Sequence, residues 1–387
     1  MDGMGQGSTS EGWQDVRRSG FARRVALAEA RRRLTGLLRP TGTERVALAQ
    51  ASGRVTATAV VAPRHVPAHP VALIDGYALS AAATYGADTY NPLPLAGAVE
   101  VVAGMPMPPG TDVVLPYAAL METQGAIEVV EPAAPGQGVA AVGSFWREGG
   151  IVLPAGRPLS GLDLACAAAA GVAEVEVVRR PEVRLLVRGD KSGMPVPDFL
   201  SELITRDGGA TLAAGGDLLS ALRGIGADDL VLVVGRTGCG GDDDSAPLLA
   251  EAGTVTVHGL TLAPGGSAGC GAVGGVPVVL LPGDPLACLA AYELLAGPAL
   301  RRLAGLPEAL PHPSRERRLA AKIASQVGTM ELWLVRDAGD EVVPLAPPER
   351  ATLAQAAQAS GFVLVALESE GHDAGETVLV HLLRPGP

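Results

Sequence analysis

Several loops of this chain carry carboxylates beside glycines. Asp75-Gly76-Tyr77 follows the Pro-rich run Pro67 to Pro70, Asp242-Asp243-Asp244 sits in GCGGDDDSAP, and Asp284 in Leu281-Pro282-Gly283-Asp284-Pro285. A carboxylate on a loop leaving an extended segment suits a site better than a core. Hard divalent cations take carboxylate oxygens and water and bridge to phosphates, so the aspartate run is a candidate magnesium site. Plainer readings stand beside these. Asp-Gly is the commonest turn dipeptide. Asp242 to Asp244 also reads as a solvated acidic turn whose last members cap a helix starting near Ser245. Asp284 is placed to cap a helix whose first residue is Pro285, where the missing N–H does no harm. The remaining N–H groups of such a terminus can also receive a phosphate.

The elements that must position these loops follow from composition and pattern. With 387 residues the chain predicts two to three domains of about 150 residues each. Aromatics make up only 3% of a chain that is 48% hydrophobic, so its cores must be built from Ala, Val and Leu. A formal net charge of -11 disfavours nucleic acid or an anionic membrane as partner, and any anionic substrate must be held locally. Met1 to Gly20 is polar and mixed in charge, without a targeting signal, and reads as a disordered tail. The apolar stretch Leu162 to Val178 is broken by Asp163, Glu174 and Glu176, short of the roughly 18 residues that span a bilayer. The expectation is a soluble, cytoplasmic protein. Cys166, Cys239, Cys270 and Cys288 form no C-x-x-C pair and read as reduced structural thiols.

Phe21 to Leu38 has an apolar period near 3.6 and predicts an amphipathic helix ended by Pro40. Short β-type runs broken by Pro and Gly fill Thr58 to Pro181 and suggest a small inserted β domain. From Glu182 the texture is α/β. Apolar strands at Val183 to Val187, Leu230 to Val234, Thr254 to His258 and Val276 to Leu281 alternate with helices at Asp198 to Arg206, Leu218 to Gly224, Ser245 to Glu251 and Pro285 to Leu295. Strands without polar alternation predict a parallel sheet covered on both faces. Ligands sit at the carboxyl ends of such strands, and the loops after Val187, Val234 and Leu281 leave those ends. From about Leu310 strands at Glu331 to Arg336, Phe362 to Leu367 and Thr377 to Leu383 predict a β-rich domain, with a helix at Ala351 to Ala359.

The order of motifs, from Thr43 to Val61 through Asp75-Gly76-Tyr77-Ala78, Gly104 to Gly110, Leu186 to Asp190, Pro264-Gly265 and Leu281 to Pro285, resembles the molybdopterin molybdotransferase family, also known as MoeA and as the gephyrin E domain. The resemblance covers roughly residues 22–385. It implies a multidomain α/β and β protein. A three-layer, doubly wound α/β molybdopterin-binding domain at 182–309 would be joined by an elongated linker and dimerisation domain at 21–62 and 146–181, an inserted β domain at 63–145 and a C-terminal β domain at 310–387, with 1–20 left as the tail. The implied reaction is molybdate insertion into adenylylated molybdopterin with release of AMP, assisted by magnesium, in a homodimer. Another molybdenum-cofactor protein or a molybdoenzyme is the implied partner. Carried over residue by residue, Asp75, Asp190 and Asp244 are the catalytic candidates, and Asp75, Asp242 and Asp244 the metal candidates. Gly76, Tyr77, Gly189, Lys191, Pro264, Gly265, Gly266, Pro282, Gly283 and Asp284 are the candidates for holding the pterin substrate.

Departures from the family pattern fall on charged side chains. Lys191 stands where an acid is expected, and Ala263-Pro264-Gly265-Gly266-Ser267 replaces Lys-Pro-Gly-Lys-Pro, so both lysines are missing while the turn survives. Thr329 and Met330 replace an arginine region, Gln355 replaces a serine, Ala72 and Ala103 replace hydroxyls, and Gly150 replaces an acid. Asp284 stands for an Asn, Ala287 for a Ser and Arg236-Thr237-Gly238-Cys239 for Gly-Gly-Val-Ser. Lys191, Arg236 and the N–H groups of Gly265, Gly266 and Gly269 are the remaining anion donors legible here. Two functions follow. One is a molybdotransferase with weakened or lost catalysis; the other is a non-catalytic paralogue serving as cofactor carrier, chaperone or scaffold.

Overall fold

The computed structural model describes residues 13–95, 97–123, 126–188, 196–226 and 228–384. The chain forms two compact units, one of Met1–Gly42 with Val178–Pro387, the other of Thr43–Val177.

The larger unit is organised by a six-stranded sheet in the order Ala210–Ala214, Glu182–Val187, Leu230–Val234, Val276–Leu281, Gly269–Val273, Thr254–His258. The first four strands run parallel, and Gly269–Val273 lies antiparallel to both its neighbours. All five residues of Leu230–Val234 are buried, because this central strand is covered on both faces. One face packs against the helices Leu27–Leu37, Val196–Arg206 and Gly297–Leu303 through Leu34, Leu200, Ile204 and Leu300. The other carries the helices Leu218–Arg223 and Ser245–Ala252 through Leu218, Leu222 and Leu249. Each buried leucine contributes about 1.5–3 kcal/mol, so a core with few aromatics is sufficient.

The helix expected at Pro285 to Leu295 runs longer. An α-helix at Pro285–Ala291 passes through a π-helical turn at Tyr292–Ala296 into a helix at Gly297–Leu303, whose Gly297 and Pro298 occupy its first turn. The π turn buries Glu293 completely. Arg206 meets it through Nη1 at 2.7 Å and Nη2 at 3.1 Å, and His312 Nε2 lies 3.1 Å away. Asp207, also fully buried, accepts from Arg206 and from Arg301 Nη1 at 2.9 Å. Burial alone would push the Glu293 carboxyl up, but the His312 and Arg206 bonds outweigh it and hold it below the ordinary range.

A second six-stranded sheet, Leu262–Ala263, Met330–Ala338, Glu341–Pro344, Ser314–Leu319, Thr377–Leu382, Gly361–Val365, closes because Met330–Ala338 also pairs with Gly361–Val365. This is the β-rich C-terminal part, with a core of Leu319, Trp333, Val335, Val363 and Val380. Its expected helix is shorter, Leu353–Ala356, held by a capping box between Thr352 and Gln355. The unit Thr43–Val177 is built from short antiparallel strands, the largest groups being Val99–Val101 with Gly76–Leu79 and Val113–Leu115, and Leu93–Pro94 with Ala126–Val129 and Leu120–Thr123. Its helix Gly161–Ala169 starts with a Ser160–Asp163 capping box. Among the described residues no helix is long and apolar enough to cross a membrane.

The tail expectation needs correction. Residues 1–12 lie outside the described residues, but Trp13 to Gly20 is folded. Trp13 packs against the Val255 and Val273 cluster, Asp15 pairs with Arg17, and the Arg18 N–H donates to the Cys239 carbonyl at 2.8 Å. The polar composition that suggests disorder is offset by one tryptophan and by backbone bonds that a sequence pattern does not reveal.

Replacing Arg301 with Met removes one of the two cations on Asp207 while keeping much of the stem's packing. The expected cost is about 3–5 kcal/mol, measured by urea denaturation, because a buried carboxylate is left half compensated. A cost under about 1 kcal/mol would show that the fold does not depend on this pair.

Candidate functional site

Three neighbouring parallel strands end at Val187, Val234 and Leu281. The sheet ladder extends one residue further, the Arg188 N–H donating to Val234 O at 2.8 Å and the Gly235 N–H to Leu281 O at 2.9 Å. Gly235 is required here: its φ is +91°, and a β-carbon would come within 2.5 Å of the Arg188 carbonyl oxygen. Arg236 follows in the left-handed region at φ +54°, an uncommon state for a side-chain-bearing residue. The loop is closed at its far end by Ser245, which is fully buried. Its hydroxyl donates to Gly235 O at 2.8 Å and its N–H to Arg236 O at 3.0 Å.

The three aspartates of this loop separate in role. Asp243 accepts the Gly240 N–H at 2.7 Å and folds the glycine run back on itself. Asp242 is exposed and has no partner among the described residues. Asp244 precedes the Ser245–Ala252 helix but makes no side-chain cap, in contrast to the acidic-cap reading. Instead both its oxygens accept from Arg188 Nη2, at 2.9 and 2.8 Å, with Arg236 Nη1 3.8 Å away. A half-buried guanidinium meets the charge that a cap would otherwise satisfy. Sequence reasoning missed Arg188, whose proximity to a residue 56 positions on is purely tertiary.

A divalent cation needs several oxygens. Among the described residues no group of three His, Cys, Asp or Glu converges to hold a metal, and Asp244 already carries a cation of the protein's own. Asp75 belongs to the unit Thr43–Val177, and Asp242 and Asp244 to the other, and within each unit the described residues form no such group. Gly189, Asp190 and Lys191 lie outside the described residues.

The aspartate loop is tied to the Pro264-Gly265-Gly266 turn. Thr237 Oγ1 and Ser267 Oγ are 3.1 Å apart, and His258 Nε2 lies 2.8 Å from the Thr237 carbonyl. Phe21 meets the His258 ring edge-on at 5.0 Å, so this histidine is a wedge between elements. Within the turn Gly265 accepts the Ala268 N–H and Gly266 the Leu260 N–H, each at 3.0 Å. Gly269, expected to share an anion nest with them, is instead a strand residue paired with Leu280 and His258. It is glycine because the Val257 carbonyl crosses where a β-carbon would stand.

Pro282-Gly283 passes close to the same loop, a β-carbon on Gly283 coming 3.2 Å from the Gly235 α-carbon. Asp284 caps its helix as expected, accepting from the Leu286 N–H at 3.1 Å and the Ala287 N–H at 2.9 Å. The capped-helix reading is realised, and an incoming phosphate would have to displace a carboxylate from those donors.

In the unit Thr43–Val177, Asp75 is exposed and its Oδ1 accepts the Ala103 N–H at 2.8 Å, clasping two loops. Gly76 is buried, and a β-carbon there would strike the Leu115 carbonyl oxygen. Tyr77 packs edge-on against Tyr117 at 5.9 Å, and Tyr117 donates to Glu100 at 2.7 Å. That bond pushes the Tyr117 phenol up to about 12.

Behind His258, along the edge strand Thr254–His258, lies a cleft of about 710 Å³ lined by Trp13, Asp15, Arg23, Arg33 and Thr256 among others. Arg33 covers the Thr256 carbonyl there at 3.2 Å.

Comparisons with known proteins agree with this fold. The model of the MoeA N-terminal region (domain I and II) matches residues 25–171, and that of a probable molybdopterin binding domain matches residues 209–302. The chain is 29% identical over 364 residues to molybdopterin molybdenumtransferase 2 of Mycobacterium tuberculosis, covering 82% of this chain and 89% of that protein. It is 25% identical over 386 residues to the molybdopterin molybdenumtransferase of Haemophilus influenzae, covering 89% and 96%. The crystal structure of a molybdopterin biosynthesis MoeA protein from Pyrococcus horikosii superposes with a TM-score of 0.75 at 27% identity, covering 94% of this chain and all of that one.

Burial holds the His258 imidazole below its ordinary range, against the Thr237 carbonyl bond and the charges of Asp15 and Asp243, which favour protonation. The folded state therefore prefers neutral His258. Stability from this group is present above the unfolded pKa, about 6.5, and falls as pH drops from there toward the lowered folded value. In thermal melts between pH 7.5 and 5, His258→Gln is expected to lose less stability on acidification than the parent. Equal slopes would show that His258 does not carry the acid sensitivity.

Proposed function

Because this chain is a divergent member of the MoeA family of molybdopterin biosynthesis proteins, we propose that it binds molybdopterin or its adenylylated form and performs molybdate transfer weakly or not at all. The molybdenum-cofactor context and the resemblance to molybdopterin molybdenumtransferases rest on matches that span most of the chain. The observation that carries the weakened-transfer reading is the Arg188–Asp244 pair. It places a guanidinium on the carboxylate that would otherwise be offered to a metal or a water.

Substrate binding is supported by what the backbone retains. The turns at Pro264-Gly265-Gly266 and Pro282-Gly283 approach the strand ends with little side-chain bulk, as a planar ring carrying a phosphate requires. Asp75, in a loop held by the Ala103 N–H, and its neighbours Gly76 and Tyr77 are the residues of the unit Thr43–Val177 proposed to serve this function, and Asp190 and Lys191 are further candidates. No group of magnesium ligands is formed among the described residues. The reading includes a cytoplasmic homodimer whose domains follow the family boundaries. The same ion pair favours the second reading, a non-catalytic paralogue that carries or protects the cofactor for another molybdenum-cofactor protein or a molybdoenzyme.

Two measurements test it. Calorimetry with molybdopterin should show uptake by the purified protein. Expression in cells lacking their own molybdotransferase should restore little or no nitrate reductase activity. Full rescue, abolished by Asp75→Ala, would overturn the weakened-transfer reading, and absence of molybdopterin uptake would overturn the binding reading.

A further inference from the structure

The segment before the first helix is stitched to the two glycine loops of the site. The Val25 N–H donates to Gly259 O at 2.9 Å and the Thr261 N–H returns to Val25 O at 3.0 Å, just ahead of the Pro264-Gly265-Gly266 turn. The Phe21 ring, seated against Gly259 and His258, lies 5.5 Å beneath the Arg24 guanidinium. That guanidinium therefore stands over Gly266, where a β-carbon would come within 3.0 Å of Nη1. Arg18 does the same one loop away. Its N–H is held by Cys239 O at 2.8 Å, its φ is +59°, and its Nε and Nη2 would each lie 3.2 Å from a β-carbon on Gly241. Neither Arg18 nor Arg24 has a carboxylate partner among the described residues, whereas Arg17 on the same segment pairs with Asp15 and Arg33 on the following helix pairs with Glu29. Between the two guanidiniums' loops stand the Thr237 and Ser267 hydroxyls, and among the described residues no acceptor takes the N–H of Gly266 or Ser267.

We propose that Arg24, seconded by Arg18, is the anion-binding cation of this site, taking a tetrahedral oxyanion over the Gly265-Gly266-Ser267 turn in place of side chains the turn itself lacks. The assignment rests on the function proposed above and specifies how its anion is held. Gly266 is part of the device: a longer side chain there would occupy the guanidinium's position. The fork of Arg24 can give two parallel N–H bonds to two oxygens of a phosphate or of a metal oxyanion, with the turn's N–H groups and hydroxyls completing the shell.

The test uses the full chain and two probes, molybdate and inorganic phosphate, each titrated by calorimetry. Arg24→Ala is expected to weaken oxyanion binding about tenfold or more, and Arg18→Ala to weaken it less, with thermal melts unchanged. Gly266 is not in the left-handed region, so Gly266→Lys introduced into Arg24→Ala is expected to restore binding to within about threefold of the parent. Preference for molybdate would make the site a metal-oxyanion site and preference for phosphate a substrate-phosphate site, and both support the proposal. Parent-like affinity in Arg24→Ala, or no binding of either probe by the parent, overturns it. Molybdopterin uptake by the parent, measured separately, tells a failure of this assignment from a failure of the pterin-binding reading.

Discussion

The pairing of Arg188 with Asp244 is the interaction on which the rest of the site depends. Arg188 is the first residue beyond its strand, yet its N–H still belongs to the sheet, so its side chain departs from a fixed point. Asp244 is the last residue before a helix whose first residue, Ser245, is pinned by two hydrogen bonds to the start of the same loop. The two-oxygen contact thus joins two rigid elements across the mouth of the sheet, and the loop between Gly235 and Ser245 has little freedom left. A charge-assisted contact of this kind contributes about 1.5–3 kcal/mol, enough to offset the left-handed backbone of Arg236. Its chemical consequence is larger than its energy. The guanidinium takes up part of the carboxylate's lone-pair capacity and fixes its orientation, which leaves Asp244 less free to turn toward a metal ion.

The fold was legible wherever burial leaves a one-dimensional trace. Leu230–Val234 and Val276–Leu281 are nearly uninterrupted apolar runs because both faces of those strands are covered, and each was placed from that pattern. Ala210–Ala214 and Gly269–Val273 escaped, for different reasons. The first is a small-residue edge strand between glycine pairs, which reads as loop. The second spends its glycines on clearance: the Val257 and Thr254 carbonyls cross where β-carbons of Gly269 and Gly271 would be, so the residues that look like breakers are what let the strand pair. The helix expected at Pro285 to Leu295 also continues further, because a π turn at Tyr292–Ala296 carries it into Gly297–Leu303.

The site was legible as a set of loops and illegible as a charge distribution. Asp284 could be read as a cap because cap and helix are neighbours in sequence. Asp244 could not be read as one half of an ion pair, since its partner lies 56 residues upstream. The same limit governs the positive groups. Comparing Gly266 with the lysine expected at that position finds a loss, and nothing local to the turn corrects the impression. Correction comes from Phe21 and Val25, which bring Arg24 to the turn across more than two hundred residues of chain.

Moving a positive charge from the turn to a separate segment changes what the charge can do. A lysine on the turn is a point charge on a flexible stem, free to follow its ligand. An arginine stacked on an aromatic ring, beside a Val25 backbone held by two hydrogen bonds, is a planar donor with a more defined direction. Such a donor favours ligands whose oxygens match its spacing and pays less entropy on binding them. Under the proposed assignment the site also depends on the folded state of the segment Trp13 to Val25, which is anchored through Trp13, Arg18, Phe21 and Val25. Under the proposed assignment, binding of an anion over Gly266 and packing of that segment are linked. Whatever stabilises the segment against the edge strand Thr254–His258 raises affinity at the turn, and by linkage an anion at the turn holds the segment in place.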